Sequence, residues 1–138
     1  MKQITVAVCL DDEKGMMFGG RRQSRDRVLI ADFVNAAEGR TIFIGEYSQL
    51  LFREYLGVAV CENPMEECSD GGVCFVEALP LVPHLQDIHT LILYHWNRLY
   101  PADRYFDVEP EKNGFSLVSV SEFEGSSHER ITKEIYRK

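Results

Sequence analysis

The sequence predicts an α/β protein: a mixed, mostly parallel sheet with helices on both faces and an antiparallel hairpin at the carboxyl end. Three observations predict it. Short apolar runs alternate three times with segments of helical spacing, the pattern of parallel strands joined by right-handed crossovers. Those runs, Ile4–Leu10, Thr41–Ile44, Val58–Cys61 and Val73–Val76, are apolar at odd and even positions alike, as suits strands buried on both faces. The last third carries longer β-favouring runs instead, at Thr90–Trp96, Gly114–Phe123 and Glu129–Arg137, and the turn residues Glu124–Ser127 join the final two into a hairpin.

Each element has a local reason. In Ile4–Leu10 the side chains of Ile4, Val6, Val8 and Leu10 share one face, and Thr5, Ala7 and Cys9 the other, which marks a central strand. Gly15–Arg27 follows as a long, mobile loop with Gly15, Gly19 and Gly20 as its turn residues. Ser24 suits an N-cap, Leu29, Phe33 and Ala36 recur at i, i+4 and i+7, and Gly39 suits a C-terminal stop, so helix one is expected over Arg25–Glu38. Ser48 suits the cap of a second helix carrying Leu51, Phe52, Tyr55 and Leu56, closed by Gly57. Asn63–Gly72 reads as a polar surface loop. Pro80 and Pro83 fit the first turn of a third helix with Leu81, Leu85 and Ile88 on one face.

Composition bounds the function. The chain has 138 residues, 45% of them hydrophobic, enough for one domain spanning 1–138 to bury a core without disulfides or metal. A formal net charge of −7 argues against a nucleic-acid groove, because phosphate contacts need a basic face. No run approaches the roughly 18 apolar residues of a membrane span, and Met1 leads straight into a strand pattern, so a cytoplasmic location and no membrane partner are expected. Cys9, Cys61, Cys68 and Cys74 form no Cys-x-x-Cys pair and are expected to be reduced. His84, His89 and His95 sit on different elements, and no metal site is expected. Ser127 and His128, beside Glu129, are neighbours in a turn and take a turn role.

Three stretches at the carboxyl end carry a likeness: Ala102–Asp107, Gly114–Val118 and Ile131–Arg137. They resemble the close of the dihydrofolate reductase fold, where an Asp-x-x-Phe-Pro segment precedes an aromatic-led strand and a last strand ending Tyr-x-Arg. The front end is similar too: a strand, the Gly15-Met16 step, a helix with Asp26 in its first turn, and Thr41–Gly45 in place of the strand ending Met-Gly-Arg. The resemblance implies a dihydrofolate reductase-like fold, with the helix between the third and fourth strands missing from Asn63–Gly72. It also implies an NADPH site, and there the chain departs. Glu46 stands where an arginine helps hold the 2′-phosphate, Glu62 where a small or basic residue faces the same phosphate, and Glu77-Ala78 where a Gly-Gly pair admits the pyrophosphate. A carboxylate a few ångströms from a phosphate costs on the order of 1 to 4 kcal/mol, so NADPH is disfavoured and the cofactor is left unknown. Gly20–Ser24 replaces the Leu-Pro-Trp of the pterin pocket.

The remaining candidates for a site are few. Asp26 falls at the family's pterin-binding carboxylate, and is either a ligand or proton-relay group or a first-turn acid stabilised by the helix dipole and by Arg22 or Arg27. Arg21, Arg22, Arg25 and Arg27 form either a fork-donor cradle for an anion or a solvated charged face. Trp96 follows the longest strand, and either reaches a ligand or packs the rim of the core. Two functions are compatible with this pattern. One is a binding module for a small anionic or heterocyclic ligand, or for a protein partner. The alternative is an active oxidoreductase of the dihydrofolate reductase type that uses NAD(P)H or flavin through altered contacts. A homodimer is compatible with either.

Overall fold

The computed structural model describes residues 2–138. At the centre of its seven-stranded sheet lies β1 (Ile4–Leu10), flanked by β6 (Val73–Phe75) and β7 (Ile88–His95), both parallel to it. Beyond β6 come β4 (Ile42–Ile44) and β5 (Val58–Val60), again parallel. Beyond β7 come β10 (Ile131–Arg137) and then β9 (Ser116–Phe123), each antiparallel to its inner neighbour. The sheet is therefore mixed and mostly parallel with a carboxyl-terminal hairpin, as the alternation of runs predicts. A second, three-stranded antiparallel sheet joins β2 (Gly15–Phe18) to β3 (Arg21–Arg22) and to β8 (Arg104–Tyr105).

The two faces of β1 account for the layers. Ile4, Val6, Val8 and Leu10 enter one apolar cluster, and Ala7 and Cys9 the other, so each face is sealed by a different part of the chain. Helix α1 (Arg27–Ala36) covers the second face through Leu29, Ile30 and Phe33, which with Phe52 and Phe75 form an aromatic cluster of ring separations 5.2–6.1 Å. Asp32 on α1 accepts a 2.6 Å hydrogen bond from the Tyr94 hydroxyl and pairs with Lys133 at 2.8 Å, tying the helix to β7 and β10. The first face is covered by the single turn of α2 (Pro64–Glu67) and by irregular segments that contribute Leu81, Val108 and Phe115. Among the described residues no helix is long and apolar enough to cross a membrane. All four cysteines are free, and burial pushes each of their thiols up.

Several local expectations are corrected. Helix α1 begins two residues late, because Asp26 and not Ser24 is its N-cap. Its end is set by Ala37, after which Gly39 takes φ +80°, a conformation that glycine adopts without a Cβ clash. The second helix is a 3₁₀ segment, Glu46–Phe52; Ser48 is buried inside it instead of capping it, and Leu56 lies almost wholly exposed beyond it. The third helix shrinks to a 3₁₀ turn, Val82–His84, since Ile88 is taken into β7 and the Asp107 carboxylate holds the Leu81 and Val82 amides at 3.0 Å. Asn63–Gly72 is not all loop: Pro64 starts α2, Met65 is buried, and Lys2 Nζ donates to the carbonyls of Met65, Glu66 and Cys68. Gly15–Arg27 is not an open, mobile loop either. Met16 and Met17 are buried, and Gly19 and Gly20, both at positive φ, turn β2 back into β3.

Candidate functional site

The site lies where α1, the Glu46–Phe52 segment and the β2–β3 hairpin meet the carboxyl ends of β1, β6 and β7. Asp26 is its most heavily used residue. As N-cap its Oδ1 accepts from the amides of Val28 at 3.0 Å and Leu29 at 3.2 Å, satisfying two of the donors a helix start leaves free. The same carboxylate accepts from the Ser126 amide at 2.9 Å, the Ser127 amide at 2.8 Å and the Ser127 hydroxyl at 3.2 Å. His128 Nδ1 stands 3.1 Å from Oδ2, with both side chains sealed from water. Burial pushes the Asp26 carboxyl up, but the Ser127 and Ser126 amides, His128 and the Leu29 amide together outweigh it and hold it well below the usual carboxylate range. Gly125 allows the close approach: a Cβ there would run into the Asp26 carboxylate.

His128 is held in turn. Its ring stacks on Trp96 with centroids 4.5 Å apart and planes 23° from parallel. Nε2 lies 3.0 Å from the Tyr100 hydroxyl and 3.2 Å from Ser24 Oγ. The network thus fastens the β9–β10 turn to the start of α1, across about a hundred residues of chain. Asp11 does the same for the hairpin, since its carboxylate accepts from the Glu13 and Gly15 amides and from Gln23 Nε2.

The second cluster is Arg22, Glu77 and Ser48. Arg22 donates through Nε to Glu77 Oε1 at 2.8 Å and through Nη2 to Oε2 at 3.1 Å, a two-point fork, and Ser48 Oγ donates to Oε2 at 2.6 Å. The bond to Glu77 raises the Arg22 pKa further. The guanidinium is also held from behind: Nη2 donates to the Tyr47 carbonyl at 2.9 Å, and the group lies 4.3 Å from the centroid of the Tyr47 ring. Beneath this pair, walled by Asp26, Phe75 and Trp96, is a space of about 20 Å³. That is room for about one water. A second cleft, of about 650 Å³, opens between α1 and the Glu46–Phe52 segment. Val28, Ile30, Leu50 and Leu51 give it an apolar lining, and Arg25, Arg27 and Arg53 stand at it.

The structure does not gather the four arginines into one cradle. Arg22 turns inward to Glu77, Arg25 and Arg27 are exposed at the wide cleft, and Arg21 is exposed on β3. Asp26 meets neither Arg22 nor Arg27, and its partners are the serine amides and His128. Trp96 is buried against His128. Glu46 and Glu62 are exposed, and Ala78 is half-buried. Ser24, Ser48, Tyr100 and His128 join the site from scattered positions. Only the buried acid at a helix start, which must find donors somewhere, could have pointed to such partners.

No protein-family model matches this chain, and no curated protein matches it in sequence. Solved structures do. The dihydrofolate reductase of Enterococcus faecalis, determined in complex with NADP(H) and RAB-propyl, superposes with a TM-score of 0.68 over 98% of this chain and 95% of that one, at 12% sequence identity. The fold is dihydrofolate reductase-like. At that identity the likeness is one of fold, and function has to be argued from the site.

Proposed function

We propose that this chain is a binding module on the dihydrofolate reductase-like fold, for a small anion with an apolar or heteroaromatic body, and not a standard NADPH-dependent dihydrofolate reductase. The observation that carries this reading is how Asp26 is used. Four backbone amides and the Ser127 hydroxyl already donate to its carboxylate, and of the two spaces it borders the inner one is only about 20 Å³, against the roughly 300–1,000 Å³ of small-molecule sites. A pterin therefore finds no free acceptor on Asp26 and no room in the inner space, and any heteroaromatic anion has to be held in the wide cleft by its arginines. The 650 Å³ cleft has the right size, an apolar floor and arginines whose planar forks suit a carboxylate or phosphate. Glu77 supports the same reading, since it fills the place where the fold resemblance puts the Gly-Gly pair that admits a pyrophosphate.

The test is the thermal midpoint of the purified protein with about 1 mM NADPH or about 1 mM folic acid, the latter as a heteroaromatic anion. A ligand at about 100 times its Kd adds about 2.7 kcal/mol, several degrees for a domain of this size. The expected result is no shift with NADPH and an upward shift with folic acid that Arg27→Ala combined with Arg53→Ala abolishes. A clear shift with NADPH overturns the reading in favour of an oxidoreductase with altered cofactor contacts, to be followed by an assay of dihydrofolate reduction.

A further inference from the structure

The Arg22–Glu77–Ser48 cluster has more order than a surface ion pair requires. Glu77 Oε1 and Oε2 take the two prongs of one guanidinium, and Oε2 also takes a hydroxyl, the donor set with which proteins hold a free carboxylate or a phosphate. Both side chains are largely buried, at 16% and 11% exposure, so the pair is shielded from the screening that empties most surface pairs of value. Arg22 does not depend on Glu77 for its position. The Tyr47 carbonyl and ring hold the guanidinium, and the Tyr47 hydroxyl accepts from the Arg22 amide at 3.0 Å. Glu77, by contrast, sits past the end of β6, where Leu79 and Pro80 are exposed. The small space under the pair and the wide cleft share Arg25, Asp26, Ile30 and Leu51, so the Glu77 carboxylate stands at the inner end of the route a ligand would take.

We propose that Glu77 is a built-in stand-in for an anionic group of the ligand, at a site deeper than the one Arg27 and Arg53 supply. Arg22 and Ser48 form an anion site that the Glu77 carboxylate fills, and that it yields to a carboxylate or phosphate when its side chain swings out. This inference rests on the reading of the chain as an anion-binding module, and supplies its regulation. An internal competitor lowers the apparent affinity of every anion at the site by the fraction of time that it leaves the site open. Removing the competitor gains affinity, whereas removing an ordinary ligand-contacting residue loses it.

The experiment titrates inorganic phosphate and, separately, acetate into wild type, Glu77→Ala and the Arg22→Ala/Glu77→Ala double variant, at fixed ionic strength, by calorimetry. Glu77→Ala is expected to bind one of the two anions at least about tenfold more tightly than wild type, a ratio equal to about 1.4 kcal/mol. Which anion gains tells a phosphate site from a carboxylate site. The gain should vanish in the double variant. Glu77→Gln keeps the shape and a neutral acceptor, and serves if the alanine variant does not melt cooperatively; a smaller gain of the same sign is expected. An unchanged affinity in both Glu77 variants, or a gain that survives loss of Arg22, overturns the proposal. Failure of folic acid to bind wild type, with the Glu77→Ala gain intact, counts against the cleft's proposed occupant and supports the Glu77 site.

Discussion

Asp26→Asn is expected to destabilise the protein by about 3 kcal/mol or more at pH 7, since hydrogen bonds to a charged group contribute about 1.5–3 kcal/mol each and a buried amide donor left unpaired costs about 1–3 kcal/mol. The amide keeps a single acceptor oxygen, and its NH2 group faces either the Ser126 amide, which donates to Oδ1, or the Ser127 amide, which donates to Oδ2. A native domain has about 5–15 kcal/mol in all, so the variant is left with a fraction of its stability. The effect also has a direction in pH. The folded-state pKa of Asp26 lies below its unfolded value, so its stabilisation is fully present above the unfolded carboxylate pKa of about 3.9 and is lost as the pH falls from there through the folded-state value. Urea midpoints measured at pH 7, 5 and 3 should show wild type and variant far apart at pH 7 and 5 and drawing together at pH 3. A gap that stays constant with pH would show that the carboxylate's charge contributes nothing to the fold.

Phe33→Ala is expected to cost a similar amount, about 3–5 kcal/mol, through lost transfer energy and the cavity left behind. Phe33 is fully buried and touches both Phe52, at 6.1 Å, and Phe75, at 5.4 Å. It therefore joins α1 to the Glu46–Phe52 segment, the two walls of the wide cleft, over the end of β6. Its loss should weaken folic acid binding along with stability, although it reaches no ligand. Chemical denaturation measures the first effect and the thermal shift with folic acid the second. Phe33→Leu, which keeps most of the volume, should recover most of both. A Phe33→Ala protein as stable as wild type would mean that the aromatic cluster does not hold the walls.

The sheet was legible from the sequence because its signal is local. A strand such as β1, apolar on both faces, leaves little choice but the middle of a parallel sheet, and the resemblance at Ala102–Asp107 and Ile131–Arg137 points to the fold that the superposition shows. The helices were less legible because tertiary contacts overrode propensity. Ile88 has helical spacing from Leu81 and Leu85 but is drawn into β7, opposite Ile4. Ser48 looks like a cap, yet donates to a carboxylate 29 positions away. The site was least legible of all. That Asp26 matters could be read from the resemblance, which puts a carboxylate at that position; that Ser126, Ser127 and His128 surround it could not, since nothing within a turn motif says which distant helix it closes upon. The arginines illustrate the same limit. Arg21, Arg22, Arg25 and Arg27 look alike in sequence, and only the fold tells Arg22, turned in, from its three exposed neighbours.

The stacking of Trp96 on His128 gives the protein its own optical gauge. Trp96 is the chain's one tryptophan, it is 4% exposed, and it lies against the ring that fastens the β9–β10 turn to Asp26. Its emission therefore starts from a dry setting. Whatever loosens that fastening lets in water and parts the rings, so the light shifts to the red. Far from the sheet's other edge, one side chain reports without any added label whether the two ends of the chain are still joined.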